Sequence, residues 1–113
     1  MGMRQNIELE YEETEAREGN LIYIYSHWDG DDKYLTSGLA HKLKNALARH
    51  ERWDDEGYLA RIIISEVLRD SLDDETGYGI QPYEIDPEFP TIKVNFKAQT
   101  VDGMRYEDFI NSF

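Results

Sequence analysis

The sequence predicts an α+β fold, an antiparallel sheet of about four strands with two helices packed on one face. Three observations carry that expectation. Period-two apolar alternation marks strands towards both ends of the chain. Four-residue apolar spacing marks two helices between them. The resulting order, ββααββ, segregates strands from helices, as antiparallel sheets covered on one face do. At 113 residues the chain is expected to form one domain over residues 1–113.

The first strand is read at Ile7–Tyr11, where Ile-Glu-Leu-Glu-Tyr alternates. The acidic stretch 12–18 and the turn pair Gly19-Asn20 then lead to Leu-Ile-Tyr-Ile-Tyr at Leu21–Tyr25, rich in β-branched and aromatic residues. The two segments are expected to pair as a hairpin. Residues Ser26–Asp32 read as a loop ending in a helix N-terminus, with Asp31 or Asp32 opposing the dipole. From Lys33 to about Arg52 the stripe Leu35, Leu39, Leu43, Leu47 predicts an amphipathic helix, with Gly38 in its interior, where glycine is unfavourable. A second helix is expected from Tyr58 to Leu72, its positive end facing Asp54, Asp55 and Glu56. Its wider apolar band marks it as the more buried of the two. Short strands are read near Ile80–Ile85 and at Thr91–Ala98, the first confined to an edge by Pro82, Pro87 and Pro90. Tyr106–Phe113 reads as a closing helical turn.

Composition narrows the function classes. The net charge is −12, from 24 acidic and 12 basic residues, which argues against non-specific binding to nucleic acid or anionic membrane. No apolar run reaches the roughly 20 residues of a membrane span. The N-terminus lacks a signal-peptide pattern, so a cytoplasmic location is expected. The chain has no Cys, which removes disulfides and thiolate chemistry. The acids at 29, 31 and 32 do not continue as a calcium loop. No metal, cofactor or catalytic residue is predicted, for want of a nucleophile elbow, a phosphate loop or paired metal ligands.

Charge is unevenly placed. Lys33, Lys42, Lys44, Arg49 and Arg52 stand against Glu51 alone between Lys33 and Arg52, whereas the window 54–75 holds eight acids and two arginines. Such a run is either a solvated helix face or a pocket for a compact anion. Aromatic residues fall in the expected loops and helix ends: Trp28, Trp53, Tyr58, Tyr78 and Tyr83. Beside Arg61 and the basic helix they would stack a base while the cations hold phosphate. Taken alone, each is more often a core residue, and Tyr78, between Gly77 and Gly79, reads as part of a helix C-cap and turn.

Four segments, Ile22–Gly30 with its Ser-His-Trp-Asp-Gly ending, Arg52–Asp55, Tyr58–Ile63 and Glu75–Ile80, resemble a family of small uncharacterised bacteriophage and actinobacterial proteins. The resemblance implies a phage-type accessory role such as counter-defence, and no particular chemistry. Together, charge and resemblance nominate His27, Trp28, Asp29, Lys42, Arg49, Trp53, Tyr58, Arg61 and Tyr78 as ligand-binding residues. The leading expectation is a non-enzymatic module that sequesters a nucleotide or another phosphorylated small molecule. The alternative is an acidic protein–protein inhibitor of a host effector that mimics nucleic acid through Glu8, Glu10, Glu12, Glu13 and Glu15. A phosphodiester hydrolase built on His27 ranks last. Exposed aromatics and strand edges leave a homo-oligomer open.

Overall fold

Alternation of apolar and polar residues sets the first two strands, β1 (Gln5–Glu10) and β2 (Leu21–Ser26), in a computed structural model that describes residues 5–12, 21–26, 38–69, 78–83 and 91–112. They pair antiparallel, with Ile7 opposite Ile24 and Leu9 opposite Ile22, as the alternation requires. The hairpin connection expected between them, residues 27–32 of the expected loop Ser26–Asp32, residues 73–77, Lys33, Leu35, Pro87 and Pro90 lie outside the described residues.

The helices are α1 (Gly38–Leu47) and α2 (Glu56–Leu68). On α1 the leucine stripe is confirmed: Leu39, Leu43 and Leu47 are fully buried, with Ala40 and Ala46 beside them. Gly38 is the first described residue of α1, and the expected start of the helix at 33–37 lies outside the described residues. The helix also stops five residues before the expected Arg52. Its terminal carbonyl at Leu47 accepts the His50 backbone N–H at 3.0 Å and the Trp53 indole N–H at 3.2 Å, which satisfies an orphan acceptor and turns the chain. On α2 the acidic start works as expected. Asp55 is the N-cap, extended at φ −126, and its carboxylate accepts the Tyr58 N–H at 3.3 Å. The expectation that α2 is the more deeply buried helix is corrected. It buries Leu59, Ala60, Ile63 and Val67, while Ile62, Ile64 and Leu68 are half-buried flanks. Over the described residues, α1 buries a larger share of its length than α2.

After α2, the short edge strand β3 (Tyr78–Gln81) pairs antiparallel with β2. Next, β4 (Thr91–Asn95) lies on the other side of β1 and runs parallel to it, Ile7 facing Ile92 and Leu9 facing Val94. Two further strands, β5 (Thr100–Val101) and β6 (Met104–Arg105), form a tight hairpin, and α3 (Tyr106–Ile110) closes the order. The sheet therefore reads β3-β2-β1-β4-β5-β6.

This corrects the expectation of about four antiparallel strands: among the described residues the sheet is mixed and has six strands. Hydrophobic period reports that a segment is a strand and which face it buries, but not which neighbour it takes or in which direction. Since β3 already occupies the free edge of β2, β4 is left the free side of β1. Strand β4 is also shorter than the expected 91–98. The Asn95 side chain accepts the Ala98 N–H at 2.9 Å, a local turn that ends the ladder.

The core lies between one sheet face and the helices. Ile7, Leu9, Ile24, Ile92 and Val94 meet Leu39, Leu43, Leu47, Leu59, Ile63 and Val67, with Phe109 and Tyr106 closing one end. On the other face, cross-strand polar pairs take over. The Tyr23 hydroxyl donates to Glu8 at 2.7 Å and the Asn95 amide to Glu10 at 3.0 Å. No helix among the described residues is long and apolar enough to cross a membrane.

Candidate ligand-binding cleft

Two loops and the start of α3 converge at the end of the sheet where β1 finishes. The first loop joins α1 to α2 (residues 48–55) and carries His50 at φ 54 and Arg52 at φ 59. The second joins β4 to β5 and carries Gln99 at φ 56. These are left-handed conformations that non-glycine residues seldom adopt, and they cluster where backbone shape serves function. The Gln99 amide donates to Asp54 at 2.7 Å and ties the loops together. Below them the Glu12 backbone N–H donates to Glu56 at 2.9 Å.

Trp53 is the centre of this end. Its ring is half-buried, with the His50 imidazole tilted against it at 4.9 Å and the Tyr106 ring edge-on at 5.1 Å. Around Trp53 opens a mainly apolar pocket of about 300 Å³, lined also by Ala98, Gln99, Arg105, Tyr106 and Glu107. That volume is at the small end of ligand sites. An adjoining depression of about 450 Å³ shares Gln99 and is acidic, with Glu12, Asp54, Asp55 and Glu56 against Lys97. A third, of about 530 Å³, shares Trp53 and is lined by His50, Arg52, Asp54 and Asp55.

Two titratable groups here depart from their ordinary behaviour. The hydrogen bond from His50 Nε2 to Glu107 holds the His50 pKa above its usual 6.5, helped by the Ala48 carbonyl at 2.9 Å from Nδ1. Both ring nitrogens face oxygen acceptors, which suits the doubly protonated imidazolium. Tyr106 is 1% exposed. Burial raises its pKa, and its hydroxyl has no hydrogen-bond partner among the described residues.

The residues nominated from sequence fall in separate places. Trp53 lines the cleft. Arg49, on the same loop, pairs with Glu51 at 3.3 Å. Tyr58, 60% exposed, carries the Arg52 guanidinium on its ring at 4.7 Å. Lys42 and Tyr78 meet elsewhere: the Lys42 ammonium donates to the Tyr78 hydroxyl at 3.2 Å. Tyr78 is registered opposite Ser26, itself opposite Gln5, so this pair belongs to the start of β1. The cleft belongs to its finish, about 17 Å away at 3.3–3.4 Å per residue. Arg61 donates to Ser65 on the outer side of α2, beside a depression of about 440 Å³ lined by Ile64, Leu68 and Arg69. His27, Trp28 and Asp29 lie outside the described residues.

Sequence reasoning overlooked Gln99, Arg105, Tyr106 and Glu107. A signal for their placement is present in Asp102-Gly103, a dipeptide typical of two-residue hairpin turns, which folds β6 and the start of α3 back onto the loops. Among the described residues, no group of three or more His, Cys, Asp or Glu side chains is placed to hold a metal ion. Comparison of the chain with protein-family models, curated proteins and solved structures returns no match.

Proposed function

We propose that the chain is a non-enzymatic binding module that takes a nucleotide or similar planar phosphorylated molecule in the cleft at Trp53. The observation that supports this reading is the composition of that cleft. An aromatic wall of Trp53 and Tyr106 encloses an apolar pocket, with Arg105 on its lining and Arg52 on the adjoining one. A base would stack or insert against the apolar wall, Gln99 and Glu107 would bond to its edge, and the guanidinium groups would meet phosphate. A counter-defence role, in which binding removes a nucleotide signal, rests on the resemblance of the four sequence segments to phage proteins. Calorimetry with a panel of linear and cyclic nucleotides tests the reading. Saturable heat is expected, lost in Trp53→Ala; a silent panel at protein concentrations of tens of micromolar overturns it.

One observation favours the second reading, an acidic inhibitor that captures a basic protein surface. Glu12, Asp54, Asp55 and Glu56 line one depression, while Arg49 and Arg61 are engaged within the chain. Capture of a host protein that weakens as salt rises would mark this alternative.

A further inference from the structure

Tyr106 presents an unmet hydrogen bond beside the cleft. Its side chain is 99% buried, being 1% exposed, and its hydroxyl oxygen has less than 1 Å² of accessible surface and no partner among the described residues. A phenol left this way is costly, and a phenylalanine would fill the same space without that penalty. Tyr106 as a residue lines the pocket, together with Trp53 and Gln99. Both of these sit on loops whose neighbouring or own residues hold positive φ: Arg52 at 59° beside Trp53, and Gln99 itself at 56°. Reaching the hydroxyl from the pocket requires these loops to part, because the oxygen itself is closed off.

We propose that Tyr106 is a specificity residue of the cleft, its hydroxyl donating to a carbonyl oxygen or ring nitrogen of the ligand's planar group. The inference rests on the reading of the cleft as a nucleotide site and names what recognises the base. A ligand acceptor at this position satisfies a donor that is unpaired in the free protein. A ligand without an acceptor there leaves the donor unmet, and such absences are what buried polar groups discriminate against.

The test compares wild type with Tyr106→Phe, using the four common nucleoside 5′-monophosphates as probes in calorimetry and thermal unfolding as a parallel readout. Tyr106→Phe is expected to unfold no earlier than wild type, and up to about 4 °C later. It is also expected to bind the preferred monophosphate about tenfold more weakly, the effect of one neutral hydrogen bond. Equal affinity of the two proteins would overturn the Tyr106 role and leave the cleft reading standing. Absence of binding by wild type to all four would overturn the cleft reading first, and the Tyr106 role with it. A variant that melts several degrees earlier would show that the hydroxyl already has a partner, for example an enclosed water, and would also overturn the proposal.

Discussion

His50 shows how a single side chain can carry both shape and charge at the cleft. Its backbone is in the left-handed region, its ring lies against Trp53, and its two nitrogens face Ala48 of its own loop and Glu107 of α3. The charged groups near it on its own loop are Arg49, paired with Glu51, Arg52, Asp54, bound by Gln99, and Asp55. The folded pKa is raised above 6.5, chiefly by the Glu107 hydrogen bond. A raised pKa means the folded state binds the proton more tightly than the unfolded chain. The His50 contribution to stability is therefore complete below 6.5 and is lost as pH rises through the folded value. Proton NMR should place the His50 titration midpoint above the ordinary range near 6.5, and Glu107→Gln should bring it down. The same variant should weaken stability at about pH 6, and the loss should fade as pH rises past the folded-state midpoint that the NMR titration locates. A midpoint insensitive to Glu107→Gln would show that the ion pair does not form in solution.

Among the elements, the β5–β6 hairpin controls the cleft most directly, since Arg105 is its last residue and Tyr106 follows it. Its turn residues Asp102 and Gly103 have φ of 49 and 84, the pattern of a type I′ turn, whose twist matches its strands. A Cβ placed on Gly103 would meet nothing within 4 Å, so Gly103→Ala isolates backbone strain from packing. It should destabilise the fold by about 1 kcal/mol in urea titration, with Gly103→Asn losing less because Asn tolerates this region. An unchanged midpoint would mean the turn relaxes without cost. This hairpin also marks the limit of what could be read from sequence. Strands β1, β2 and β4 and helices α1 and α2 announce themselves through five or more residues of regular period, and Asp55 through its place before an apolar run. Two-residue strands have no period to detect, so β5 and β6 showed only in Asp-Gly. The site suffered in the same way. Trp53 stood out as an aromatic in a loop, but Gln99 and Tyr106 enter the cleft through tertiary contacts that local pattern does not encode. The end of α1 was misplaced because its stop signal is a tryptophan N–H on a carbonyl rather than a glycine.

At the scale of the whole molecule, charge opposes folding. Twelve more acids than bases repel one another in any compact state. The ion pairs Arg49–Glu51, Glu66–Arg69 and Arg105–Asp108 are local and at least partly exposed, and pairs of this kind contribute at most about 1 kcal/mol each. Salt acts on both terms, but not equally. Raising ionic strength from about 0.01 to 0.1 M shortens the screening length from about 30 to 10 Å, which removes long-range repulsion while leaving contacts of 3–4 Å largely intact. Melting temperature should therefore rise over this range, opposite to a fold held by surface ion pairs. The acidic depression concentrates the effect. There Asp55 caps α2, Asp54 binds Gln99 and Glu56 holds the Glu12 N–H, so their carboxylates also have structural work. The Glu12 backbone makes that contact while its exposed side chain lines the depression, which makes Glu12→Lys the informative change. It should raise stability at low salt by a few tenths of a kcal/mol and flatten the salt dependence, because it replaces repulsion with attraction beside the three other acids of that depression. A wild-type melting temperature that falls with salt would instead show that the specific pairs outweigh the net charge.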